Sequence, residues 1–96
     1  MLTTTAPRYA LRVYLIEDGK FHTIVGGGDS WRNEELCLAA GYNWLSAFRD
    51  NHSEVRAETI TRAFLALRQK GYCAVTTKRR QHNITLQVQV AVVGEE

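Results

Sequence analysis

The sequence predicts an α+β fold: a four-stranded antiparallel sheet in ββααββ order, with two helices packed on one face. Three observations lead there. Apolar residues alternate with period two near both ends of the chain. Two stretches with helical spacing of apolar residues fill the middle. Between the first two alternating runs stands Asp18-Gly19, a dipeptide suited to the positive φ angles of a two-residue hairpin turn. Strands joined by tight turns pair antiparallel, and helices inserted between two such hairpins bury their apolar stripes on a shared sheet face.

Each element has its own signal. Residues 1–8, MLTTTAPR, carry no periodic pattern and are expected to fray. From Tyr9 the alternation begins, with Tyr9, Leu11, Val13 and Leu15 on one side and Ala10, Arg12, Tyr14 and Ile16 on the other. Phe21 to Val25 read as the return strand. Gly26-Gly27-Gly28 ends the hairpin, and Asp29 or Ser30 is expected to cap a helix from Trp31 to Asp50, with Glu34 and Glu35 at its positive end. A second helix is expected from an N-cap at Ser53 to Lys70, stopped by a left-handed Gly71. Tyr72 to Thr77 and Ile84 to Val93 close the sheet, with a basic tip between them and a short tail at residues 94–96. The length of 96 residues suits one domain and one core.

Composition excludes more than it names. A hydrophobic content of 45% with a single proline describes a folding chain, not a disordered one. No apolar run approaches the length of a membrane span, and no charged-then-apolar leader follows Met1, so the expected address is the cytoplasm. Cys37 and Cys73 have no cysteine or histidine at metal-ligand spacing and read as buried thiols. His22, His52 and His82 are scattered, and Ser30, Ser46 and Ser53 lack the strand–turn–helix context of a nucleophile. The glycine triplet lacks the lysine and spacing of a phosphate loop. No enzyme, cofactor or metal is therefore expected.

Two surfaces remain. The apolar positions of the first helix span an arc of about 220°, about twice what a helix resting on a sheet requires. Ala40, Trp44 and Ala47 form the excess, a strip of small residues around a tryptophan, and Leu65 stands alone on the polar side of the second helix. Either the strip packs under the second helix, or it meets a protein partner or a second copy of the chain, with tryptophan as anchor. This gives the leading expectation: a small non-enzymatic module acting by protein contact, as an accessory, regulator or inhibitor, able to form a homodimer through its first helix.

Charge marks the second surface. The net charge is only +2, but residues 56–80 hold seven basic side chains against one acidic. The run ETITRAFLALRQKGYCAVTTKRRQHNITLQV resembles the second half of a winged-helix domain, about a third of the chain: a T-I-x-R-A helix, a K-G-Y stop and a hairpin with a basic tip. The resemblance implies a nucleic-acid-binding alternative, with Thr59 and Arg62 toward bases and Lys78, Arg79 and Arg80 on phosphate. Three cations at one tip would neutralise about three phosphates.

Overall fold

The computed structural model describes residues 7–26 and 30–93, and for residues 21–26 only the backbone is considered. Residues 1–6 of the start expected to fray at 1–8, Gly27 and Gly28 of the glycine triplet with Asp29, and the tail at 94–96 lie outside the described residues. The order is β1 (Arg8–Glu17), β2 (Lys20–Gly26), β3 (Ser30–Trp31), α1 (Glu34–Asn51), α2 (Ala57–Lys70), β4 (Tyr72–Arg79) and β5 (His82–Val93). The long strands lie in the order β2-β1-β5-β4, with every pairing antiparallel. β3 continues the β2 side by pairing Tyr9 with Trp31 and Ala10 with Ser30. This is the four-row antiparallel sheet with two helices that the alternation predicts.

β1 and β5 form the spine, in unbroken register from Arg8 opposite Val93 to Glu17 opposite Ile84. Arg8 thus belongs to a strand and not to a frayed end. Because opposite residues share a face, Leu11, Val13 and Leu15 line up with Val90, Val88 and Leu86, and Cys73 and Val75 of β4 extend the layer. The helices cover this face. α1 supplies Cys37, Leu38, Leu45 and Phe48, and α2 supplies Ile60, Ala63 and Leu67. The opposite face, with Arg12, Tyr14, Gln87, Tyr72 and Lys78, has no helix over it among the described residues.

Both helices begin later than the sequence suggests. Asn33, not Asp29 or Ser30, caps α1, accepting from the Glu35 amide at 2.7 Å. Ser30 and Trp31 are drawn instead into a strand, held by Arg8, whose Nε donates to Ser30 Oγ at 2.8 Å. Trp31 packs against the core from there. Ser53 does not cap α2, which starts at Ala57 after Arg56 with no side-chain cap. Buried Val55 explains the delay: its side chain enters the core, its amide donates to the His52 carbonyl at 2.9 Å to close a turn, and its carbonyl accepts from Arg49 Nε at 3.1 Å. Gly71 ends α2 at φ 76°, as expected, and its amide donates to the Leu67 carbonyl.

The helices touch through a second glycine. A β-carbon on Gly41 would lie 2.7 Å from Leu67 Cδ2, so the missing side chain sets how closely α1 approaches α2. Beside this contact, Tyr42 meets Phe64 edge-to-face at 5.2 Å, and Arg68 reaches Glu35 at 3.8 Å. α2 therefore lies along the Tyr42 flank of α1. At 100° per residue, Ala40 and Trp44 fall on the opposite flank. The strip does not pack under α2; it turns toward the β1 and β3 side of the sheet.

Candidate functional site

The outer edge of β4 joins several features that the sequence scatters. β4 pairs only with β5 among the described residues. The Val90 amide donates to the Gly71 carbonyl at 2.8 Å, which makes that pair a hydrogen-bonded one. Antiparallel ladders alternate, so Cys73, Val75, Thr77 and Arg79 also exchange bonds with β5, while the N–H and C=O of Tyr72, Ala74, Thr76 and Lys78 point outward. The two-residue turn agrees, because Arg79 opposite His82 closes the hairpin as a bonded pair. The register runs without interruption from Tyr72 to Arg79.

The other edge is different. In β2 the register skips Val25 and His22 between successive partners in β1, two bulges that twist an edge away from strangers. β4 carries no such bulge, and its middle side chains on the open face are the small residues Ala74 and Thr76. Lys78 and Arg79, both at one end, supply the charge that usually blunts an edge, and the rest of the strand has none.

Beside β4, α2 and the link before it build a wall. A cavity of about 320 Å³ opens between them, lined by Glu54, Val55, Arg56, Glu58, Thr59 and Arg62 from the helical side and by Thr76 and Thr77 from the strand. Thr77 Oγ donates to Glu54 Oε2 at 2.6 Å, and this bond, ahead of the charges of His52 and Arg79, holds the Glu54 carboxyl below its usual range. Glu58 pairs with Arg56 at 3.4 Å rather than with Arg62, four residues on, as helix spacing suggests. The arrangement can accept backbone along its floor and polar side chains against its wall.

The residues expected to contact partners are distributed as follows. Ala40 and Trp44 are half-buried and packed on the core, whereas Ala47 is exposed, so the three do not form one open strip. Leu65 is 49% exposed on α2, with Tyr42 at 43% and Leu36 at 56% on α1. Thr59 and Arg62 line the cavity just described, next to the carboxylates of Glu54 and Glu58, which would repel a phosphate. The basic tip is mostly strand: β4 runs through Arg79, and only Arg80 and Gln81 turn, both at positive φ (50° and 72°). By alternation Lys78 points to the open face and Arg79 to the helix side, where Arg79 and Arg80 line a second cavity with Glu17, His82 and Ile84, so the three cations do not share one surface. The β4–β5 hairpin is built into the sheet by β1 and does not project as a free wing.

One constellation had no signal in the sequence. Asp18 and His82, 64 residues apart, meet at 2.7 Å, and the Asn83 amide donates to the second carboxylate oxygen at 2.9 Å. The bond lowers the Asp18 pKa and raises that of His82. With Glu17 they offer three ligand atoms within 4.8 Å, but Asp18 already receives two donors, and the group works as a latch between the first turn and β5. Cys37 and Cys73 are buried and unpaired, and burial pushes Cys73 up to about 11. Among the described residues no helix is long and apolar enough to cross a membrane. No protein family, curated protein or solved structure matches this chain.

Proposed function

We propose that the chain is a small non-enzymatic binding module that acts by protein contact, taking an extended segment of its partner as an added strand along β4. The observation that carries this reading is the regular, unbulged β4 edge facing a cavity walled by α2, while the opposite edge is bulged. Strand addition draws affinity from main-chain bonds and selectivity from the pockets that alternate side chains enter. The outward groups of Tyr72, Ala74, Thr76 and Lys78 contribute about 1 kcal/mol net per bond, which suffices for weak recognition. Tighter binding requires side chains that suit the wall of Glu54, Glu58 and Arg62, a polar surface of mixed charge. Such a partner segment is extended and carries small polar or charged residues at every second position. The unpaired thiols Cys37 and Cys73 support a reducing compartment, here the cytoplasm.

A random array of extended peptides tests the reading, with binders then titrated into isotopically labelled protein. The amides of Tyr72, Ala74, Thr76 and Lys78 are expected to shift and to gain exchange protection. Binders that perturb the outer helix face around Leu36, Tyr42 and Leu65, and leave those amides unchanged, would refute it.

A further inference from the structure

Resting on that strand-addition reading, we propose that one occupant of the β4 edge is a second copy of this chain, paired antiparallel about a two-fold axis through Val75. The register follows from the outward groups. An axis at Val75 sets Ala74 opposite Thr76 and Tyr72 opposite Lys78 of the other copy, so each outward residue meets an outward residue. All the free N–H and C=O groups of the edge are then used, about eight bonds in alternating antiparallel geometry.

The side chains match in that register. Ala74 and Thr76, both small and exposed, face each other on the open side. Tyr72, 41% exposed with its hydroxyl accepting from Gln87 Nε2 at 2.9 Å, receives the Lys78 ammonium beside its ring. No like charges stand opposite within the ladder, since Arg79 falls opposite Gly71. On the helix side the two-fold lays α2 antiparallel to its copy. The cavity sits at the Thr76 and Thr77 end of each edge, so the two cavities fall at opposite ends of the paired strands and stay open. A C2 interface requires self-complementarity, and the ladder residues supply it. The β2 edge cannot form the same ladder, because its bulges break the alternation.

Sedimentation of the full chain from about 10 μM to about 1 mM, a range bracketing weak association, tests the proposal together with hydrogen exchange. Wild type is expected to shift toward a dimer as concentration rises, with the amides of Tyr72, Ala74, Thr76 and Lys78 becoming protected in parallel. Ala74→Pro removes one outward N–H and leaves the β5 ladder intact, and is expected to stay monomeric with an unchanged circular-dichroism spectrum. If that variant does not fold, the concentration dependence of the four wild-type amides decides alone. A chain that stays monomeric at the top concentration, yet protects those amides when a peptide binds, overturns the second copy and leaves strand addition standing. A dimer whose four amides exchange as in the monomer overturns the β4 interface. If neither peptide nor concentration protects them, both readings fall.

Discussion

Gly41→Ala should change sign depending on what stands at position 67. In the wild-type background the new methyl meets Leu67 Cδ2 at 2.7 Å, and its next neighbours are Leu11 Cδ1 at 3.4 Å and Val88 Cγ1 at 3.6 Å. Alanine within a helix is favoured over glycine by about 1 kcal/mol. Overpacking a filled core costs about 1–3 kcal/mol, because Leu67, only 1% exposed, has little room to yield. The net expectation is a loss of about 0–2 kcal/mol. Leu67→Ala alone should cost about 2–5 kcal/mol, a large part of the roughly 5–14 kcal/mol expected for a domain of this size. In that background the clashing atom is gone and the remaining neighbours sit near ordinary contact distance. Gly41→Ala should there stabilise by about 1 kcal/mol, giving a coupling of about 1–3 kcal/mol between the two sites. Urea unfolding of the four proteins, with sucrose added equally to keep a folded baseline for the weakest, measures the cycle. Equal shifts from Gly41→Ala in both backgrounds would refute the claim that this glycine sets the spacing of the helices.

Three further outcomes are expected. The Asp18–His82 latch has a pH window: the lowered Asp18 pKa gives stability present above its ordinary value of 3.8 and lost as pH falls through the folded value, while the raised His82 pKa gives stability present below 6.5 and lost as pH rises through the folded value. The stability difference between wild type and His82→Asn should thus peak between about pH 4 and 6.5 and shrink on either side, and a flat difference would show that the latch does not titrate. With Cys73 at about 11 and both thiols buried, reaction with a disulfide reagent at mildly alkaline pH should run about a hundredfold or more below that of a free thiol, and urea should release both cysteines together. Trp44→Ala should lower stability by about 2 kcal/mol, less than a fully buried tryptophan would, without changing sedimentation; altered self-association would return the interface to α1.

Local signals in this chain were legible and long-range ones were not. Asp18-Gly19 and Gly71 adopt the positive φ angles their residue types favour, and the alternation from Tyr9 to Ile16 assigned each β1 side chain to its face. The boundaries that shifted did so because tertiary contacts outbid local preference. Ser30 is a fair cap, yet Arg8 and Tyr9 recruit it and its neighbour Trp31 into a strand. Ser53 is a better cap than Arg56, yet Val55 must reach the core first. The candidate site was hidden for a related reason. Nothing in the local pattern of β4 says that β1 takes the far side of β5 and leaves β4 outermost. The arc of α1 was visible, but the flank α2 occupies depends on a glycine contact across the two helices. The meeting of Asp18 with His82 follows from the same β1–β5 pairing.

That central pairing also governs how the chain can be made. β1 is synthesised first and β5 last, so the spine of the sheet cannot close until Val93 has left the ribosome. At 5–20 residues per second, roughly 4–15 s separate the appearance of Glu17 from that of Val93. During that interval the β1–β2 hairpin stands with one edge unpaired and Leu11 and Val13 uncovered, because α1 has no complete sheet to rest on. Folding of this sheet therefore waits on the synthesis of β5. A nascent chain stalled inside β5 would present the ribosome exit with an aggregation-prone hairpin, a natural client for whatever holds unfinished strands apart.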